Sequence, residues 1–234
     1  IHGGSLNYSL SSKDYKHRLN VYSSIQNIGR ESYYGAGRDT NAYGKTKDFT
    51  VVGGAQYSYD FDNFLFMPSS LTAGVEYSYN KLNDLMLGYH REINQEVFVY
   101  SAYLQNEWKT GRFSFLLGGR LDKNSEIDDP IFSPRLNIRY NPIPDLSLRA
   151  SYSEGFRAPQ TYDEDLHVAV VGGEVTLIQV AKDLKTERSR SYSASVDYYT
   201  TWGPVQINLL LEGFYTSLHN PFVLEEIESD DENK

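Results

Sequence analysis

What most constrains this chain is an alternation of period two that recurs along nearly its whole length. Successive side chains of a strand point to opposite faces, so the pattern writes two chemically different surfaces into each strand. Leu71, Ala73, Val75, Tyr77 and Tyr79 fall on one side, and Thr72, Gly74, Glu76, Ser78 and Asn80 on the other. The split returns in Phe113, Phe115, Leu117 and Leu121 against Arg112, Ser114 and Arg120, and in Leu136, Ile138 and Tyr140 against Arg135, Asn137 and Arg139. Val205, Ile207, Leu209 and Leu211 oppose Gln206, Asn208 and Glu212 in the same way. Helical periodicity is nearly absent, so the fold class is all-β.

The pattern predicts about ten strands, near residues 4–11, 17–28, 45–60, 70–81, 95–108, 112–122, 134–140, 146–153, 187–200 and 205–217. Links after the odd-numbered strands are short and turn-like, among them Lys109-Thr110-Gly111, Asn141 to Asp145 and Thr201 to Pro204. Links after the even-numbered strands are expected to be long, polar and without secondary structure, beginning near Gly29, Lys81, Asp122, Glu154 and Ser217. Strict short and long alternation describes an antiparallel up-and-down meander whose two ends meet different surroundings. A soluble β-sandwich also alternates, but its strands are typically about 5 to 6 residues. Here aromatic residues gather at the turn ends (Tyr57, Tyr59, Phe61, Phe64, Phe66, Trp108, Trp202), as in an interfacial belt. Glu76, Arg120, Arg135, Arg139, Arg149 and Glu212 sit mid-strand on the polar side, which suits a wide polar lumen. The expectation is a transmembrane β-barrel, or a segment of one.

Composition excludes several other classes. With 22 Lys plus Arg against 31 Asp plus Glu, the net charge is −9 and no basic stripe offers itself to nucleic acid. There is no Cys, which removes disulfides, thiolate metal sites and a cysteine nucleophile together. No apolar run approaches the ~18 residues of a membrane helix, whereas a membrane strand needs only about 9 to 11. Neither Ile1 nor the acidic run from Glu225 to Lys234 reads as a natural domain boundary.

Motifs that would carry catalysis or a resident metal are weak. His2, His17, His90 and His219 are scattered without paired spacing, and no metal centre or cofactor is expected. Asp122, Glu126, Asp128 and Asp129 lack the spacing of a calcium loop and read as a solvated acidic loop. Gly35-Ala36-Gly37-Arg38 has no strand before it or helix after it, and no Gly-x-Ser-x-Gly elbow occurs. The stretch Tyr162-Asp163-Glu164-Asp165-Leu166-His167 is different: aromatic, acidic and imidazole groups together in a long loop suit a metal complex or haem. Tyr162, Asp163, Glu164, Asp165 and His167 are therefore the candidate ligand-binding residues. Arg135, Arg139 and Arg149 could pair with carboxylates across the lumen, since guanidinium offers a rigid fork.

One stretch is more specific. Ser133-Pro134-Arg135, then Leu146 to Tyr152, then Gly155-Phe156-Arg157-Ala158-Pro159 resemble the late-barrel signature of TonB-dependent outer-membrane receptors. Leu184 to Ser189 followed by Tyr192 looks like a further strand start of that family, with Thr186 where proline is usual. The resemblance implies a 22-stranded barrel around a globular plug, in the bacterial outer membrane, importing a scarce ligand with energy delivered by TonB. Residues 1–234 would then be an internal portion of the barrel domain, with the plug and remaining strands outside it. The expected partners are outer-membrane lipid, TonB acting through the plug, and a metal complex or cobalamin as cargo, with iron-siderophore or haem foremost. In the motif, Phe156 is expected to pack and Arg157 to fix the loop base. The alternative is a small ten- to twelve-stranded outer-membrane enzyme, a protease or lipase; a soluble carbohydrate-binding sandwich comes third.

Overall fold

The computed structural model describes residues 1–33, 43–89, 91–161, 169–171, 174–176, 180–181, 183–223 and 225. Its strands are β1 (His2–Ser11), β2 (His17–Tyr33), β3 (Tyr43–Phe64), β4 (Met67–Met86), β5 (Arg91–Lys109), β6 (Phe113–Asn124), β7 (Ile131–Ile143), β8 (Leu146–Arg157), β9 (Ala169–Val171), β10 (Glu174–Thr176), β11 (Glu187–Trp202) and β12 (Val205–His219). Ten of them form one sheet in the order β1-β2-β3-β4-β5-β6-β7-β8-β11-β12, every pair antiparallel. The sheet is open, because β1 and β12 each pair on one side only among the described residues.

Register assigns the two faces. Glu76 stands opposite Gly54 and Ser101, Ser101 opposite Asp122, and Tyr103 opposite Arg120, so these side chains share a face. The same face carries Arg135, Arg139, Arg149 and Glu212, through the pairs Gly118 with Arg135, Arg139 with Arg149, Arg149 with Ser195 and Ser195 with Glu212. Contacts that skip a strand show which way the sheet curls. Tyr22 of β2 reaches Glu76 of β4 across β3, Arg120 of β6 reaches the same carboxylate across β5, and Tyr103 of β5 reaches Gln56 of β3 across β4. Such contacts across an intervening strand are favoured on a concave surface, and together with the burial of Ser101 against the exposure of Leu104 and Tyr100 they mark the polar face as the inner one.

The outer face is apolar and bare. On β5 the outward Leu104 and Tyr100 are each 56% exposed while inward Ser101 is 6% exposed, the inverse of a water-soluble sheet. Two aromatic belts bound it. At the turn end, ring contacts run from His17 to Tyr59 (4.6 Å), Tyr59 to Phe61 (4.5 Å) and Phe61 to Phe64 (5.0 Å), and both Phe66 and Phe115 lie 5.5 Å from Trp108. Trp108 Nε1 donates to the Phe64 carbonyl at 2.9 Å, which satisfies the indole where water is excluded. The second belt holds Phe98, Tyr100 and Tyr77 and, on later strands, Tyr152, Tyr192 and Tyr215. From Trp108 to Phe98 a strand tilted about 40° rises about 25 Å, the height of the apolar band of a membrane barrel. Outward charges begin above this second belt, with Lys81 paired to Glu96 at 3.7 Å and Arg190 to Glu154 at 3.4 Å.

The short links lie on one rim, where backbone bonds tie neighbouring turns: Asp60 to Lys16 (2.9 Å), Asn141 to Arg112 (2.7 Å) and Tyr199 to Asp145 (2.8 Å). The far rim departs from expectation. Strands β2, β4 and β6 continue past the predicted loop starts, leaving a single 3-10 turn (Leu87–Tyr89) after β4 and only residues 125–130 after β6. Above the second belt the alternation changes sense: Leu82, Met86 and Val97 turn inward and are buried, while Lys81 and Asn83 turn outward. A strand leaving lipid has no reason to keep its apolar side outermost, so the pattern that marks the membrane portion stops before the strand does. The expected structureless segment 154–186 is also corrected, since it contains the hairpin β9–β10.

Candidate functional site

The inner face is built around two glycines. At Gly54 an added Cβ would lie 2.6 Å from the Tyr22 ring, and at Gly74 it would lie 2.3 Å from Tyr103. Each glycine lets a tyrosine lie flat across the strand and place its hydroxyl one strand further on. Tyr22 donates to Glu76, and Tyr103 donates to Gln56 at 2.8 Å. Arg120 completes the group: Nη2 donates to Glu76 Oε1 at 2.8 Å and to Ser101 Oγ at 2.7 Å, and Nε donates to Asp122 Oδ1 at 2.7 Å. Ser101 also donates to Asp122 at 2.6 Å. Asp122, whose side chain is 5% exposed, is thus paired to a guanidinium and a hydroxyl. It belongs to the inner wall and not to the acidic loop with which its sequence position groups it. One guanidinium against two carboxylates leaves the cluster with a net charge of −1, next to a concavity that Gly155 also lines.

A second inward group lies nearer the turn rim. Arg139 and Arg149 stand directly opposite each other in register. Arg149 Nη2 is 3.9 Å from Asp197, whose carboxylate already accepts from Asn208 at 2.7 Å. Glu212 opposes Ser195 two strands from Arg149, and Arg135 opposes Ser153.

At the far rim, Gly155, Phe156, Arg157, Ala158 and Pro159 close β8 and begin the long segment. Phe156 pairs in register with Arg188 and borders the same concavity as Gly155, and Arg157 lies 5.0 Å over the Phe222 ring. The Phe222 N–H donates to Glu187 Oε2 at 2.9 Å, which ties the ends of β8, β11 and β12 together. Ala158 is buried. Just beyond, Gln95 of β5 and the backbone of Thr161 exchange two hydrogen bonds, 3.1 Å from Gln95 Nε2 to the carbonyl and 2.7 Å from the Thr161 N–H to Gln95 Oε1. The chain after β8 therefore crosses inward to the β5 wall. Tyr162, Asp163, Glu164, Asp165 and His167 lie outside the described residues.

Sequence reading singled out Glu76 and Arg120 but missed their partners Tyr22, Ser101, Tyr103 and Asp122, and it missed Gln95. A signal for the tyrosines was present in the mid-strand glycines. For Gln95 there was none, because its partner is a backbone 66 residues away.

The family model for the β-barrel of TonB-dependent receptors matches residues 2–230. A curated relative, the iron-regulated outer membrane virulence protein of Vibrio cholerae serotype O1 (strain ATCC 39315 / El Tor Inaba N16961), is 29% identical over 157 residues, which is 65% of this chain and 22% of the relative. Among solved structures, the siderophore receptor PirA from Acinetobacter baumannii aligns with a TM-score of 0.61 at 17% identity, over 92% of this chain and 41% of that one. A double mutant of the Serratia marcescens hemophore receptor HasR, in complex with its hemophore HasA and heme, aligns with a TM-score of 0.67 at 15% identity, over 92% and 39%. At these identities the structures speak for fold alone, and the chain spans well under half of each relative. The barrel family takes the place of the small-enzyme and soluble-sandwich alternatives. With residues 2–230 matched and ten meandering strands in register, this chain belongs to the TonB-dependent receptor β-barrel family of the outer membrane.

Proposed function

We propose that the chain is an internal part of the barrel of a receptor that takes up a scarce metal-bearing ligand, an iron-siderophore or haem first and cobalamin next. The observation that carries this reading is a family barrel whose inner wall is polar, with side chains bonded across its strands, while its outer wall is bare and apolar. The names of similar proteins point the same way, with iron regulation, a siderophore and heme among them. In this reading Glu76, Arg120, Arg135, Arg139, Arg149 and Glu212 face the plug and the ligand path, and TonB acts through that plug. Cargo is met first by the segment after Pro159, where Tyr162, Asp163, Glu164, Asp165 and His167 offer aromatic, acidic and imidazole groups. Binding residues collect on loops that a rigid scaffold holds in place. Gln95 and Arg157 contribute by fixing where that segment leaves the wall.

The test deletes residues 160–180 from the full-length receptor in cells and measures growth on single iron-siderophore, haem and cobalamin sources. Loss on one source with the others unchanged is expected, and names the cargo. Unchanged binding and uptake on every source would make the segment structural and refute the site.

A further inference from the structure

Cross-strand neighbours of like charge repel, with Cβ atoms about 4.5 to 5.5 Å apart. Arg139 and Arg149 are such neighbours, on the inner face of β7 and β8. The carboxylates around them are committed elsewhere or stand back. Glu107 accepts the Ser114 hydroxyl at 2.7 Å and Asp197 accepts from Asn208 at 2.7 Å. Glu212 lines the same concavity as the two arginines but stands beyond Ser195 in register and is ion-paired to neither among the described residues. Asp197 is the nearest, 3.9 Å from Arg149, outside hydrogen-bonding distance. Arg139 Nε is shut off from solvent and has no hydrogen-bond partner among the described residues.

The wall beside the pair is low. Ser151, Ser193 and Ser195 line one concavity with the two arginines, and Ser151 and Ser193 share a hydrogen bond of 2.7 Å. Short hydroxyl side chains leave room above them and turn their O–H groups to suit an acceptor. Two guanidinium forks over a floor of hydroxyls make a receptor for a planar group with two negative oxygens.

We infer that Arg139 and Arg149, with Ser151, Ser193 and Ser195 beneath, form a carboxylate-binding site on the inner wall near the turn rim. The carboxylate comes either from a side chain in the part of the receptor beyond this chain or from an organic acid in solution. The inference rests on the inward placement of the pair and is independent of which cargo is carried.

The experiment labels arginines in the purified full-length receptor with p-hydroxyphenylglyoxal and reads Arg139, Arg149 and the turn residue Arg112 by peptide mass spectrometry. Each rate is measured in buffer, with citrate, with inorganic phosphate, and at about 1 M sodium chloride, which screens an ion pair. A side-chain carboxylate predicts that Arg139 and Arg149 react about tenfold more slowly than Arg112 in plain buffer, and that salt restores their rate. A solution acid predicts the same slowing only with citrate, abolished for Arg139 in Arg149→Gln. Rates equal to that of Arg112 in every condition would overturn the site. So would slowing that salt leaves untouched, which is steric cover, and so would protection by phosphate and not by citrate.

Discussion

Single atoms decide whether the inner wall holds together. At Gly54 an added Cβ would stand 2.6 Å from the Tyr22 ring and 2.9 Å from the Val75 carbonyl, and the second of these is backbone that cannot swing away. At neighbouring Gly53, on the other face, the nearest heavy atom is 3.8 Å off. Gly54→Ala is therefore expected to destabilise the full-length receptor by about 1 to 3 kcal/mol, the usual cost of overpacking, and to free the Tyr22 hydroxyl from Glu76. Gly53→Ala should stay within about 0.5 kcal/mol. Urea unfolding of both variants in detergent checks the pair, and equal midpoints would remove the packing explanation. Around Arg120 the same economy holds: one guanidinium satisfies Glu76, Ser101 and Asp122. Glu76 and Arg120 could be read from sequence because charge on the polar phase of a strand is conspicuous. For Tyr22 and Tyr103 the mid-strand glycines are the one signal, and it needs the register to be read, since tyrosine occupies both faces here and only the opposing glycine reveals which ring lies flat.

For a strand, the alternation is informative only while one side meets lipid. Within the aromatic belts it assigned β4, β5 and β6 well, and beyond Tyr79 and Phe98 it lost hold as Leu82, Met86 and Val97 turned inward. Strand ends and the hairpin β9–β10 were illegible for that reason: outside the membrane both faces are wet or covered by neighbouring chain. A lipid-facing site carries a definite cost. Leu104 lies on β5 between Trp108 and Tyr100, so Leu104→Arg should destabilise the folded receptor by about 2 to 4 kcal/mol. Gln105→Arg, next along β5 on the inner face, should cost far less. Refolding of the two full-length variants into lipid vesicles measures the difference, and equal losses would mean that Leu104 does not face hydrocarbon.

As a whole, the sheet is open, and the proposed function makes it the wall of a larger enclosure. Among the described residues β1 and β12 expose unpaired backbone edges, and each unsatisfied group in hydrocarbon costs several kcal/mol. Residues 1–234 produced alone are thus expected to aggregate or pair edge to edge in detergent, without the heat-resistant compact band of a closed barrel on a gel. A monodisperse, heat-resistant monomer would contradict an open wall. The most direct measurement is a spin-label scan of β5 from Val97 to Trp108 in the full-length receptor in lipid, reading collisions with oxygen, which prefers hydrocarbon, and with a nickel chelate, which stays in water. Oxygen contact should peak at Phe98, Tyr100, Ala102 and Leu104, and nickel contact at Val99, Ser101, Tyr103 and Gln105, with a period of two residues. A scan with the phase reversed, or with no period, would contradict a lipid-facing outer wall around a polar interior.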